Sequence, residues 1–186
     1  GPEVARFLSF PSFMQWARCG TYLAQDSPSL AVAFFKASSD IVPNLRPQYI
    51  PRWAGLGRSL YKGTWKSGAL SCKFFELSPA LLTSMTVPEL GRFVVFLDSL
   101  SNRSYDLSME CLDLGQKVFP LLGESKDAFL SLVSSLAEAN WQQVKGTFEA
   151  AAWSLPRIRA DQRLRFLKLA GRLRESGCAN VPVAML

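Results

Sequence analysis

Histidine is absent from all 186 residues. That removes Ser-His-Asp and Cys-His catalysis, histidine-ligated metals and a histidine pH switch together. Any enzymatic activity would have to rest on carboxylates, Lys, Cys or Tyr. Cysteine is sparse, with Cys19, Cys72, Cys111 and Cys178 forming no CxxC pair, and the wide separations match neither a zinc site nor a dense disulfide framework. Scattered thiols of this kind suggest a reducing compartment, and the expected localisation is cytoplasmic. Long apolar runs are missing too; the densest, Leu30 to Phe35, falls far short of a membrane span. No segment alternates apolar and polar residues between hairpin turns, so almost no strand is expected. The acidic residues Glu76, Glu89, Asp98, Glu110, Asp113, Glu138 and Glu149 are dispersed, and no close carboxylate pair supports acid-base hydrolysis.

What remains is apolar and basic. Hydrophobic residues make up 48% and charged residues 19% of the chain, enough for one ordered core or a short repeat array and too apolar for disorder. The net charge of +6 and a pI near 9.4 keep an acidic partner or nucleic acid in view. Gly1-Pro2 resembles the scar left by a protease, and residues 1–10 read as this scar and a lead-in.

The strongest signal is repetition. An aromatic or Trp residue is followed three, four and seven positions later by residues that close on a Leu: Trp16, Cys19, Gly20, Leu23; Trp53, Leu56, Gly57, Leu60; Phe93, Phe96, Leu97, Leu100; Phe129, Leu132, Val133, Leu136; and Phe166, Leu169, Ala170, Leu173. These spacings put each set on one face of a helix, and predict a recurrent helix A. Successive closing leucines are 37, 40, 36 and 37 residues apart.

A second helix, B, is predicted to open four residues after each of the first four leucines. The openings are Ser27-Pro28, Thr64-Trp65, Ser104-Tyr105 and Asn140-Trp141, each a capping side chain followed by Pro or a large aromatic. Asn140 with Gln143, and Thr86 with Glu89, have the form of capping boxes, and Ser125 is placed to cap the fourth helix A. Trp65, Tyr105 and Trp141 sit at equivalent positions and are assigned to the core. Ser38 to Pro43, Ser78-Pro79, Phe119 to Gly123 and Ser154 to Pro156 read as stops and turns.

The expected fold is therefore all-α: a short α-solenoid or compact stack of about four helical hairpins plus a terminal helix, with each unit burying its stripe against the next. The repeats cover about 11–45, 46–85, 86–124, 125–159 and, partially, 160–175, forming one domain over 11–175. Residues 176–186, where Pro182 disfavours another full helix, form a tail.

Gly55-Leu56-Gly57 and Gly63 to Gly68 superficially suggest phosphate loops, but the first pair lies inside helix A and the second lacks Gly before Lys66. The candidate binding surface is the basic cluster Arg157, Arg159, Arg163, Arg165, Lys168, Arg172 and Arg174. The same cluster also reads as a solvated outer face, with Asp161–Arg165 and Arg172–Glu175 as intrahelical pairs. No catalytic set, metal site or cofactor motif is recognised.

Trp53-Ala54-Gly55-Leu56-Gly57-Arg58-Ser59-Leu60 resembles the first half of a tetratricopeptide repeat, with Leu60 at that family's Tyr position and Ala69 near its second-helix Ala. The longer pitch and the loss of Trp and Gly in later copies depart from it. By overall texture, residues 11–175 are more similar to the helical, HEAT-like repeats of bacterial proteins that carry a von Willebrand factor A domain and work with MoxR-type AAA+ ATPases, the NorD-type and CbbO-type activators. The Trp/Phe-centred helix A, the entry to helix B and Lys73 to Leu82 carry that resemblance. It implies a non-catalytic protein-interaction scaffold that docks a client or the ATPase. A helical-repeat nucleic-acid binder using the basic cluster is the alternative.

Overall fold

The computed structural model describes residues 2–175; the side chains of Pro2, Leu173, Arg174 and Glu175 and the whole of the expected tail lie outside the described residues. All regular structure within them is helical, with no strand. The helices are α1 (Pro2–Ala5), α2 (Phe10–Asp26), α3 (Pro28–Ile41), α4 (Ile50–Ser59), α5 (Trp65–Leu82), α6 (Val87–Ser101), α7 (Tyr105–Leu122), α8 (Lys126–Asn140), α9 (Gln143–Ser154) and α10 (Ala160–Glu175). Helices α2/α3, α4/α5, α6/α7 and α8/α9 are the four hairpins, and α10 is the terminal helix. The chain divides within α6 into two compact units, one up to Val94 and one from Val95.

Helix entries follow from local hydrogen bonding. Ser27 is extended and hands over to Pro28 at the first helical position of α3. At α5, Thr64 Oγ1 accepts from the Ser67 amide at 3.2 Å, and Ser67 Oγ accepts from the Thr64 amide at 3.2 Å, a reciprocal box built from two hydroxyls. The Ser104 hydroxyl accepts from the Leu107 amide at 3.3 Å, and Glu89 accepts from the Thr86 amide at 2.6 Å.

Four expected boundaries are corrected. Asn140 is the last residue of α8, not the cap of α9: Trp141 and Gln142 stay in the right-handed helical region, so no extended residue is available to cap. Ser125 ends a 3₁₀ turn, Gly123–Ser125, and makes no side-chain cap. Pro79 and Pro120 lie inside α5 and α7, which run on to Leu82 and Leu122 because Leu81 and Leu122 must reach the core. Tertiary burial outweighs the missing proline donor near a helix end, where few carbonyls depend on it.

In the first unit, like helices stack: α2 packs on α4, and α3 on α5. Its centre is aromatic. Phe34, Trp53 and Phe75 are fully buried, with ring centroids 4.9 to 5.7 Å apart. The rings of Phe35 and Phe75 fill the notches left by Gly20 and Gly57; a Cβ on Gly57 would lie 2.1 Å from Phe75 Cζ. The Trp16 indole N–H donates to Ser38 Oγ at 2.9 Å.

The second unit repeats the scheme, with α7 on α9 and α8 on α10. Phe129 and Phe148 meet edge to face at 5.0 Å, and the Ser108 hydroxyl joins α7 to α6 through the Leu97 carbonyl at 2.9 Å. Lys145 of α9 bridges to Glu110 of α7 at 3.0 Å.

The repeat positions Trp16, Leu23, Trp53, Leu60, Phe93, Leu100, Phe129 and Leu136 are all buried. The last copy departs from the pattern. Phe166 is only half-buried and Leu169 is exposed, whereas Leu167 and Ala170 are buried. Helix α10 is rotated so that Arg163, Leu167 and Ala170, at positions 0, 4 and 7, face inward. Arg163 donates to the carbonyls of Ile158 and Leu121. Leu173 lies outside the described side chains.

Candidate functional site

The arginines of the basic cluster take different partners. Arg157 lies over the exposed Trp153 ring, 4.1 Å from its centroid, and donates to the Trp153 carbonyl. Arg159 pairs with Asp161 at 3.3 Å, in place of the expected Asp161–Arg165 pair: Arg159 precedes the helix and can fold back, while Arg165 stays on the solvent face. Arg163 is consumed by backbone carbonyls. Only Arg165, Lys168 and Arg172 share an exposed face of α10, and Arg174 lies outside the described side chains.

A groove of about 700 Å³ lies within the first unit, between the last turns of α3 and α5, the connector after α3, and the first turn of α6. Its volume falls in the range of ordinary ligand clefts. Ile41, Leu45, Leu82, Met85 and Val87 give it an apolar floor; Asp40, Asn44, Arg46 and Tyr49 give it polar walls with both signs of charge. Repeat periodicity does not flag it, because connectors supply much of the lining.

Large apolar residues on outward faces form the third feature. Trp65, expected in the core, is 77% exposed. It stands at the first position of α5, ahead of the buried Ser67 and Leu70, with the Lys66 ammonium 5.6 Å from its ring centroid. Trp153 is also exposed, and on α2 so are Phe10, Met14 and Tyr22. The signal for the α2 set was present in the sequence as a second apolar row opposite the repeat stripe.

Among the described residues, no group of three or more His, Cys, Asp or Glu side chains is placed to hold a metal ion. The Cys111 thiol is pushed up to about 12, chiefly by burial and further by Glu110, which makes it a poor nucleophile. Arg58 holds the Asp26 carboxyl below its ordinary range through hydrogen bonds of 2.5 and 3.2 Å. No described helix is long and apolar enough to cross a membrane.

Comparison with known protein families, curated proteins and solved structures finds no match to this chain.

Proposed function

We propose that the chain is a non-catalytic protein-interaction scaffold, the client- or ATPase-docking helical region of an activator that works with a MoxR-type AAA+ ATPase. The observation supporting a scaffold is the placement of Phe10, Tyr22, Trp65 and Trp153, each more than half exposed, on faces the repeat core leaves free. Large apolar side chains left in water favour association with a partner surface that covers them. The ATPase partner rests on the repeat resemblance. Deleting this region from the intact assembly and repeating a client and ATPase pull-down tests both: binding should be lost, and unchanged recovery sinks the proposal.

A second reading is supported by the Trp153–Arg157 stack beside a basic helix. An aromatic platform joined to cationic side chains suits single-stranded nucleic acid. It requires salt-sensitive binding of a labelled single-stranded oligonucleotide that weakens after charge reversal at Arg157, Arg165 and Lys168. No binding at low salt removes it.

A further inference from the structure

Helix α2 is apolar on two opposite sides. Its inward stripe, Trp16, Gly20 and Leu23, is buried in the first unit. At about 100° per residue, Phe10, Met14, Arg18 and Tyr22 project to the other side. Phe10 is 77%, Tyr22 59% and Met14 40% exposed, and Phe7, just before the helix, is 55% exposed. A helix with one covered face keeps polar residues on the other. This one carries a second row of large apolar groups from Phe10 to Tyr22, interrupted by Arg18, with the Arg58 guanidinium 6.0 Å from the Tyr22 ring centroid at its far end.

We propose that this outer face binds an amphipathic helix of a partner protein, and that the partner's apolar face carries a carboxylate set against Arg18. The inference rests on the interaction-scaffold reading and names the partner's chemistry. Residues four apart form a ridge that fits the groove between ridges of a second helix, and Met14 between two aromatic rings supplies an adaptable contact. Charge selects the occupant. Arg18 sits between Met14 and Tyr22, so a docked helix takes it out of water. Asp26, at the end of the row, is already bound by both Nε and Nη of Arg58. The partner must therefore bring the counterion, because an Arg desolvated without one is strongly unfavourable, and an opposing Lys more so. A second copy of this chain fits poorly: two-fold pairing of the same face would bury two Arg18 side chains near the axis with no carboxylate between them.

The test uses the full chain and three fluorescein-labelled amphipathic helical peptides that share a Leu-rich face and differ in one central residue of that face, Glu, Gln or Lys. Fluorescence anisotropy should rank them Glu, Gln, Lys, with the Glu peptide at least about tenfold tighter than the Lys peptide. Arg18→Glu should reverse the order. Phe10→Ser with Tyr22→Ser, exposed positions at which the circular dichroism spectrum should be retained, should weaken all three by at least about tenfold. Equal affinities, an order unaffected by Arg18→Glu, or self-association abolished by the double Ser variant would each overturn the proposal. A pull-down that depends on this chain yet survives both variants overturns it while leaving the scaffold reading in place.

Discussion

Two glycines of α4, separated by Leu56 alone, face opposite requirements. Gly57 is filled by the Phe75 ring, whereas nothing lies within 4 Å of a Cβ built on Gly55. Phe75 is itself fully buried against Phe34, Phe74 and Trp53 and cannot swing aside. Gly57→Ala should thus destabilise by about 1–2 kcal/mol, the overpacking cost less the gain in helix propensity. Gly55→Ala should stabilise by up to about 1 kcal/mol. Urea midpoints of the two variants read the contrast, and Phe75→Leu should relieve the Gly57→Ala penalty. Cys111, buried and with its thiol pushed up to about 12, should resist iodoacetamide at about pH 8 until the protein unfolds, as read by peptide mass mapping. The sequence made Trp53, Gly57 and Leu60 legible as repeat positions because their spacing repeats in other copies. It could not show that a phenylalanine ring fills the space at Gly57, or that Trp65 is exposed, because both outcomes depend on what the neighbouring helices place opposite.

Capping distinguishes helices that look alike in sequence. Thr64→Ala removes a formed box and should cost about 1 kcal/mol. Asn140→Ala, at a position that ends α8 and caps nothing, should change stability by less than about 0.5 kcal/mol; chemical denaturation of the pair compares them. Between elements, Arg58 of α4 ties down Asp26 at the end of α2. A carboxyl whose folded value is depressed stabilises above its unfolded value, near pH 4, and loses that contribution as pH falls through the lower folded value. Asp26→Asn should therefore lower the stability read from urea denaturation at about pH 7 by under about 1 kcal/mol, since the pair is partly exposed, and the difference should shrink as pH falls through the folded value. Openings of the form Ser/Thr before Pro or an aromatic were read correctly from sequence at α3, α5 and α7. Asn140 failed because capping needs an extended backbone that the tight α8–α9 turn does not provide. On α10, the 0, 3, 4, 7 pattern placed Ala170 in the core but also Leu169, which is exposed, and it missed Leu167. Arg163 finds two carbonyl acceptors in the folded unit, and hydropathy spacing contains no record of such acceptors.

For the molecule as a whole, the all-α hairpin architecture was legible because every copy repeats the same few positions, and each hairpin closes over short connectors. The most extensive packing in each unit joins alternate helices, α3 on α5 and α7 on α9, so the chain's main contacts lie within one hairpin or between adjacent hairpins. Such topology favours rapid folding. Stopped-flow refolding should be complete within milliseconds for its main phase. The binding surfaces were less legible. In the basic cluster, the sequence could not show that Arg157 stacks on Trp153, that Arg159 pairs with Asp161, or that Arg163 donates to two carbonyls. Connector residues of the groove carry no periodicity to betray them.

Trp53 is fully buried, and its indole N–H has no acceptor among the described residues. Its fluorescence should consequently be blue-shifted and inaccessible to iodide, while Trp65 and Trp153 emit to the red and are quenched. One chain thus carries separate optical reporters: the blue component follows collapse of the aromatic core, and the quenchable component follows whatever covers the outer surface.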